Sequence, residues 1–106
     1  MRDIRFRAWD KISKSMRYGA ENNLIICLGN PDDFELMQFT GLLDKQGKEI
    51  YESDRLKTDE ADWIGEVVFQ RGAFILLDDK GGFSVEPNWE QCEVVGNKYE
   101  ELSEQL

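Results

Sequence analysis

The sequence predicts a mainly β fold, a small antiparallel barrel or sandwich with at most short helical turns. Three observations carry that expectation. Near the start, Ile4, Phe6 and Ala8 alternate with Arg5, Arg7 and Trp9, the period of two that marks a half-buried strand. Farther on, short strand-like runs are separated by glycine-bearing reversals at Asp44-Lys45-Gln46-Gly47, Phe69-Gln70-Arg71-Gly72 and Asp78-Asp79-Lys80-Gly81. No long amphipathic helical pattern interrupts them, which leaves sheet against sheet as the way to bury a core.

Residues 4–18 read as a hairpin whose loop is the polar stretch Asp10–Ser15 and whose return is Met16-Arg17-Tyr18. Asn22-Asn23 leads into the apolar run Leu24–Leu28, which contains adjacent β-branched residues and is too short for a typical helix. Gly29-Asn30-Pro31-Asp32-Asp33 is a dense turn signal, because Pro31 drives Asn30 out of helical geometry. Phe34–Phe39 then returns as a strand. Gln38–Asp54, QFTGLLDKQGKEIYESD, continues as strand, glycine turn, strand and acidic edge.

Each of the three glycine reversals fits a type I turn followed by a left-handed residue that forms a bulge. Glycine takes that conformation cheaply, whereas a Cβ costs roughly 1–2 kcal/mol there. Ile50-Tyr51, Ile64–Phe69, Phe74–Leu77, Phe83–Val85 and Cys92–Val95 supply the remaining strands. Lys57–Asp62, KTDEAD, reads as a solvated, mobile loop and Pro87-Asn88 as a bend. Leu102 and Leu106, four apart among glutamates, suit a terminal helical turn or, equally, a frayed end.

At 106 residues the chain fits one domain, 1–106, large enough to bury a core without staples. Hydrophobic residues at 41% and charged residues at 33% suit a soluble globule. No apolar run is long enough to cross a bilayer and no secretory pattern opens the chain, so the expected location is the cytoplasm. Cys27 and Cys92 are expected as buried thiols rather than a disulfide. The histidine count is zero, which removes Ser-His-Asp and Cys-His machinery, histidine bases and histidine-containing zinc sites. No cofactor motif is visible.

The net charge of −9 is unevenly placed. Residues 1–20 hold six basic groups against two acidic ones, a local +4 that leaves −13 for the other 86 residues. Phosphate backbones repel such a surface, so nucleic-acid binding by the whole domain is disfavoured.

Four segments together resemble the YopX family, small proteins of phages and prophages, mainly from Gram-positive bacteria. They are IRFRAWDK at residues 4–11, QFTGLLDKQGKEIYESD, IGEVVFQRGAF at residues 64–74 and CEVVGNKYE at residues 92–100. The family commonly has glycine before the aspartate of a Tyr-Glu-Gly-Asp stretch; here Ser53 precedes Asp54. If that turn needs a left-handed residue, serine fits it poorly. The resemblance implies an N-terminal hairpin at 1–20, an SH3-like part at about 40–100, and a phage or prophage context inside a bacterial host. It implies no catalytic residues.

The candidate interaction surface is Arg5, Arg7, Trp9, Trp63, Glu49, Glu52 and Asp54. Glu52 and Asp54, two apart, would share a face of an extended chain, where with Glu49 they could hold a hard cation or simply blunt a sheet edge. Trp9, Trp63 and Trp89 are contact anchors or core. Trp9 falls on the side of Arg5 and Arg7, an outer face or a second layer of core. Those arginines could grip phosphate, a partner's acidic patch or the domain's own carboxylates, the last being simplest. The expected function is a non-enzymatic module binding a host or phage protein, with self-association an option. The alternatives are nucleic-acid binding through the N-terminal strand, acidic mimicry of DNA, and, last, a metal-dependent hydrolase.

Overall fold

A computed structural model describes residues 4–58, 63–78 and 84–100. The chain is mainly β and every strand pairing is antiparallel, as the sequence predicts. The strands form two sheets. β1 (Phe6–Asp10), β2 (Ser15–Tyr18), β3 (Phe34–Leu43) and β4 (Glu49–Tyr51) make the first, in the order β2-β1-β3-β4. β5 (Asp54–Lys57), β6 (Ile64–Gln70), β7 (Ala73–Asp78), β8 (Ser84–Val85) and β9 (Glu93–Asn97) make the second, in the order β8-β7-β6-β5-β9. No helix of the described residues is long and apolar enough to cross a membrane.

The first sheet explains one departure from expectation. Because β1 lies between β2 and β3, the chain leaving β2 must cross over β1 before it can pair. It does so as a 3-10 turn, Ala20–Asn23, followed by a six-residue helix α1, Leu24–Gly29. The β-branched pair Ile25-Ile26 is therefore helical, not extended. Crossover topology outweighs β propensity here, since no neighbouring strand is left to pair the segment. Gly19, at φ 77, turns the corner into it, and Asn30 ends it by donating from Nδ2 to the Ile26 carbonyl at 2.7 Å. The buried residues Ala8, Ala20 and Cys27, with Phe6, Phe34 and Leu36, form the small core between this crossover and the sheet.

The larger core lies mainly on the second sheet, with Ile50 added from β4 of the first. Ile50, Leu56, Val67, Leu76 and Cys92 are buried together, flanked by Trp63, Phe74, Trp89 and Val94. Val67 faces Leu76 across the β6–β7 ladder, so each strand places one large aliphatic in the same layer. Burying each such side chain is worth roughly 1.5–3 kcal/mol. Cys27 and Cys92 are buried thiols, as expected, and they sit in different cores.

Two of the glycine reversals are described, and they differ. At Asp44–Gly47 the Gly47 N–H reaches the Asp44 carbonyl at 3.0 Å and Gly47 has φ 82, the expected turn and bulge. At Gln70–Ala73 both central residues are left-handed, Arg71 at φ 52 and Gly72 at φ 81, and Gln70 pairs directly with Ala73. That is a two-residue hairpin, not a bulged one. Two positive φ values match the right-handed twist of the flanking strands, which a type I turn would splay. The third reversal, at Asp78–Gly81, extends outside the described residues, as does most of the loop at Lys57–Asp62. Leu102 and Leu106 lie outside them as well.

Candidate functional site

Arg7 stands where the two sheets meet. Both faces of β1 are covered, so the alternation read from sequence separates two interiors rather than inside from outside. Ala8 faces the crossover core, while Arg7 points at the second sheet, where its side chain is 3% exposed. Its Nη2 donates to Asp54 Oδ1 at 2.9 Å and to the Glu52 carbonyl at 3.1 Å. Its guanidinium lies 4.7 Å from the centre of the Tyr51 ring, close enough for a cation–π contact. Nε finds no acceptor among the described residues.

Asp54 opens β5 and completes the pair. Its Oδ2 accepts from the Tyr51 N–H at 2.8 Å, which closes the tight link from β4 to β5. Burial raises the Asp54 carboxyl above its usual range, and the Arg7 charge and the Tyr51 N–H offset this only in part. Burial, then the neighbouring Glu49, likewise pushes the Tyr51 hydroxyl up to about 12. Beside the pair opens a cleft of about 440 Å³, walled by Tyr18, Tyr51, Lys48 and Glu49 on one side and by Gly96 and Asn97 on the other. These groups engage one another: Glu49 holds Arg5, and Tyr51 donates from its hydroxyl to Glu49 at 3.3 Å.

The structure brings five of the seven residues expected from sequence together, Arg5, Arg7, Glu49, Glu52 and Asp54, but as internal pairs rather than an open surface, while Trp9 and Trp63 make other contacts. Arg5 pairs with Glu49 and lies over the Phe39 ring at 4.4 Å, so both arginines are spent on the domain's own groups. Trp9 takes the second-layer option and stacks on Tyr99 at 5.4 Å with an interplanar angle of 15°. Trp63 and Trp89 pack against the larger core, and Trp63 donates from Nε1 to Asp78 at 2.9 Å.

Glu49, Glu52 and Asp54 do not converge on a cation. Ser53 has φ 71, the left-handed conformation that the family's glycine would supply, and this breaks the extended parity between its neighbours. Glu52 accepts instead from the Gln38 N–H at 2.8 Å, while Asp54 turns inward. Among the described residues no three acidic or thiol side chains could hold a metal ion.

Two features escape the sequence reading. Asp44 is buried, its Oδ1 accepts from the Gln46 and Lys48 N–H groups at 2.8 Å each, and its Oδ2 accepts from Val94 at 3.0 Å. The aspartate that opens a turn hinted at the first two bonds, but nothing local points to Val94. The second feature is an exposed apolar face on α1. Ile25 is 89% exposed, Leu28 66% and Ile26 55%. These three aliphatics stand in solvent on one short helix. The signal was the density of aliphatics around one cysteine, more than one short helix can bury.

The comparisons agree with this architecture. Residues 22–104 match the family described as YopX protein. No curated protein matches the chain. Among solved structures, protein EF1440 from Enterococcus faecalis is similar, with a TM-score of 0.67 over 100% of both chains at 21% identity, a likeness of fold alone. The family match includes Asp54, Asp44 and α1, while β1 with Arg7 and β2 lie before it. On the strength of a match over most of its length, the chain belongs to the YopX family.

Proposed function

We propose that this protein is a non-enzymatic interaction module that binds another protein within a phage or prophage programme in a bacterial cell. The observation that carries the reading is the face of α1, where Ile25, Ile26 and Leu28 stand in solvent. Leaving large aliphatics in water forgoes stability that inward packing would give, so a surface of this kind is best explained by a partner that covers it. The ionisable groups of the cleft support the same reading, because Arg7, Asp54, Glu49 and Tyr51 are engaged with each other. The strand order β8-β7-β6-β5-β9, with a 3-10 turn at Trp89–Gln91 before the last strand, supports an SH3-like second half.

The nucleic-acid reading loses its main support. Arg5 and Arg7 are paired with carboxylates, and Trp9 offers a ring already stacked on Tyr99. The test of the module reading is recovery of a stoichiometric partner from host cells carrying the phage genes. Wild-type bait should retain it, and a variant with Ile25→Gln and Leu28→Gln should not. A bait that retains no protein through those two positions overturns the reading.

A further inference from the structure

We infer that the exposed face of α1 docks an amphipathic helix with a basic rim, supplied by a different protein; this rests on the interaction-module reading and gives the partner its chemistry. The apolar side chains of α1 span its outer side. Ile25 and Leu28, three apart, are neighbours on one side of the helix. Ile26 borders a hollow of about 250 Å³ between α1 and β2, whose apolar lining includes Ala20, Cys27 and Phe34. A row of aliphatics beside such a hollow suits the apolar face of a helix, which anchors at positions one turn apart.

The charge around this face decides between occupants. Between Arg17 and Lys45 the chain contains no lysine or arginine, but it contains Glu21, Asp32, Asp33, Glu35 and Asp44. Asp44 is buried in its turn and Glu35 is paired with Lys11. Glu21 accepts from the Phe6 N–H at 2.8 Å, which leaves Asp32 and Asp33, just after the helix, as the acidic edge of the apolar face. The nearby bases pair with other carboxylates. Arg17 is held by Asp10 at 2.9 Å, and Lys11 by Glu35 at 2.9 Å. A second copy would bring the same acidic rim against this one on a chain of net charge −9. An anionic bilayer is opposed for the same reason. An apolar stripe edged with lysine or arginine satisfies both the centre and the rim.

Two synthetic helical peptides with the same leucine face test this, one with lysine flanks and one with glutamate flanks, titrated into the full chain by calorimetry. The lysine peptide should bind, and the glutamate peptide should bind at least about tenfold more weakly. Ile25→Gln with Leu28→Gln, which changes no charge and no buried residue, should weaken the lysine peptide by a similar factor. Asp32→Asn with Asp33→Asn should weaken it several-fold and flatten its salt dependence. Equal binding of the two peptides, or unchanged binding by the Ile25/Leu28 variant, overturns the inference. So does a wild-type dimer that the same variant dissolves, or wild-type protein sedimenting with anionic vesicles. If both peptides fail while a natural partner is still retained through Ile25 and Leu28, the basic-helix chemistry falls and the module reading stands.

Discussion

Asp44 and Asp54 are buried carboxylates at two joints between the same two sheets, and their surroundings push them in opposite directions. Asp44 ties the β3–β4 turn to β9, while Asp54 ties β5 to Arg7 on β1. Burial is the largest single influence on both, and it raises both. At Asp44 the three N–H groups from Val94, Lys48 and Gln46 together outweigh it, so that carboxyl ends below its usual value. Asp54 lies deeper, and there the Arg7 guanidinium, the Tyr51 N–H and the Lys48 charge do not outweigh burial, so that carboxyl ends above. The lesson is that the depth at which a carboxylate sits and the number of donors aimed at it decide together which way it shifts, and Asp54 lies much the deeper of the two.

The sharpest way to break this contrast is Arg7→Ala. It strands Asp54 as a buried charge, and we expect a loss of about 3–5 kcal/mol in urea unfolding. Replacing the pair together, Arg7→Met with Asp54→Leu, should cost less than Arg7→Ala alone; a larger loss would mean that the joint depends on the ion pair itself. Asp44→Asn comes next, at about 2–3 kcal/mol near neutral pH, because hydrogen bonds from three amides to a charge are weakened.

The pH dependence separates the two joints further. Asp44, depressed when folded, contributes stability that is present above its unfolded value of 3.8 and is lost as pH falls through the lower folded value. Asp54, raised when folded, contributes below 3.8 and loses that contribution as pH rises through its folded value. Asp44→Asn should therefore flatten the acid limb of the stability curve. An unchanged limb would assign acid sensitivity to Asp10 and Glu21, which are also depressed.

Smaller effects come from the left-handed residue beside each aspartate. Gly47→Val, in the Asp44 turn, should cost about 1–2 kcal/mol, although open space surrounds the site. An unmoved thermal midpoint would contradict the turn geometry. Ser53→Gly, next to Asp54, should stabilise by up to about 1 kcal/mol, since glycine relieves the strain but adds unfolded-state entropy. A loss of stability would show that the serine side chain contributes more than its backbone costs.

The same two joints show what the sequence can tell. Asp44 opens a turn with a glycine three residues on, so the reversal was legible from local chemistry, but its bond to Val94 depends on how β9 lies and has no local trace. Strand alternation around Arg7 was correct in period. Its meaning changed because β1 has two covered faces, a property of the strand order and not of the strand. Glu52 and Asp54 were placed on one face by counting residues, and the left-handed Ser53 undid that parity. The serine substitution was itself the clue, since it stands where the family has glycine. The helical crossover was hidden because its residues favour strand, and only the need to pass over β1 makes it helical.

Strand β5 has a kinetic consequence of its own. One neighbour, β6, follows it closely, but the other, β9, comes from the far end of the described chain, with Asp54 opposite Asn97. Closing so wide a loop is entropically slow, so refolding should run over milliseconds to seconds rather than the roughly microsecond times of local helical bundles. During that interval one side of β5 is an open template for foreign strands, and aggregation that rises with protein concentration should compete with productive closure.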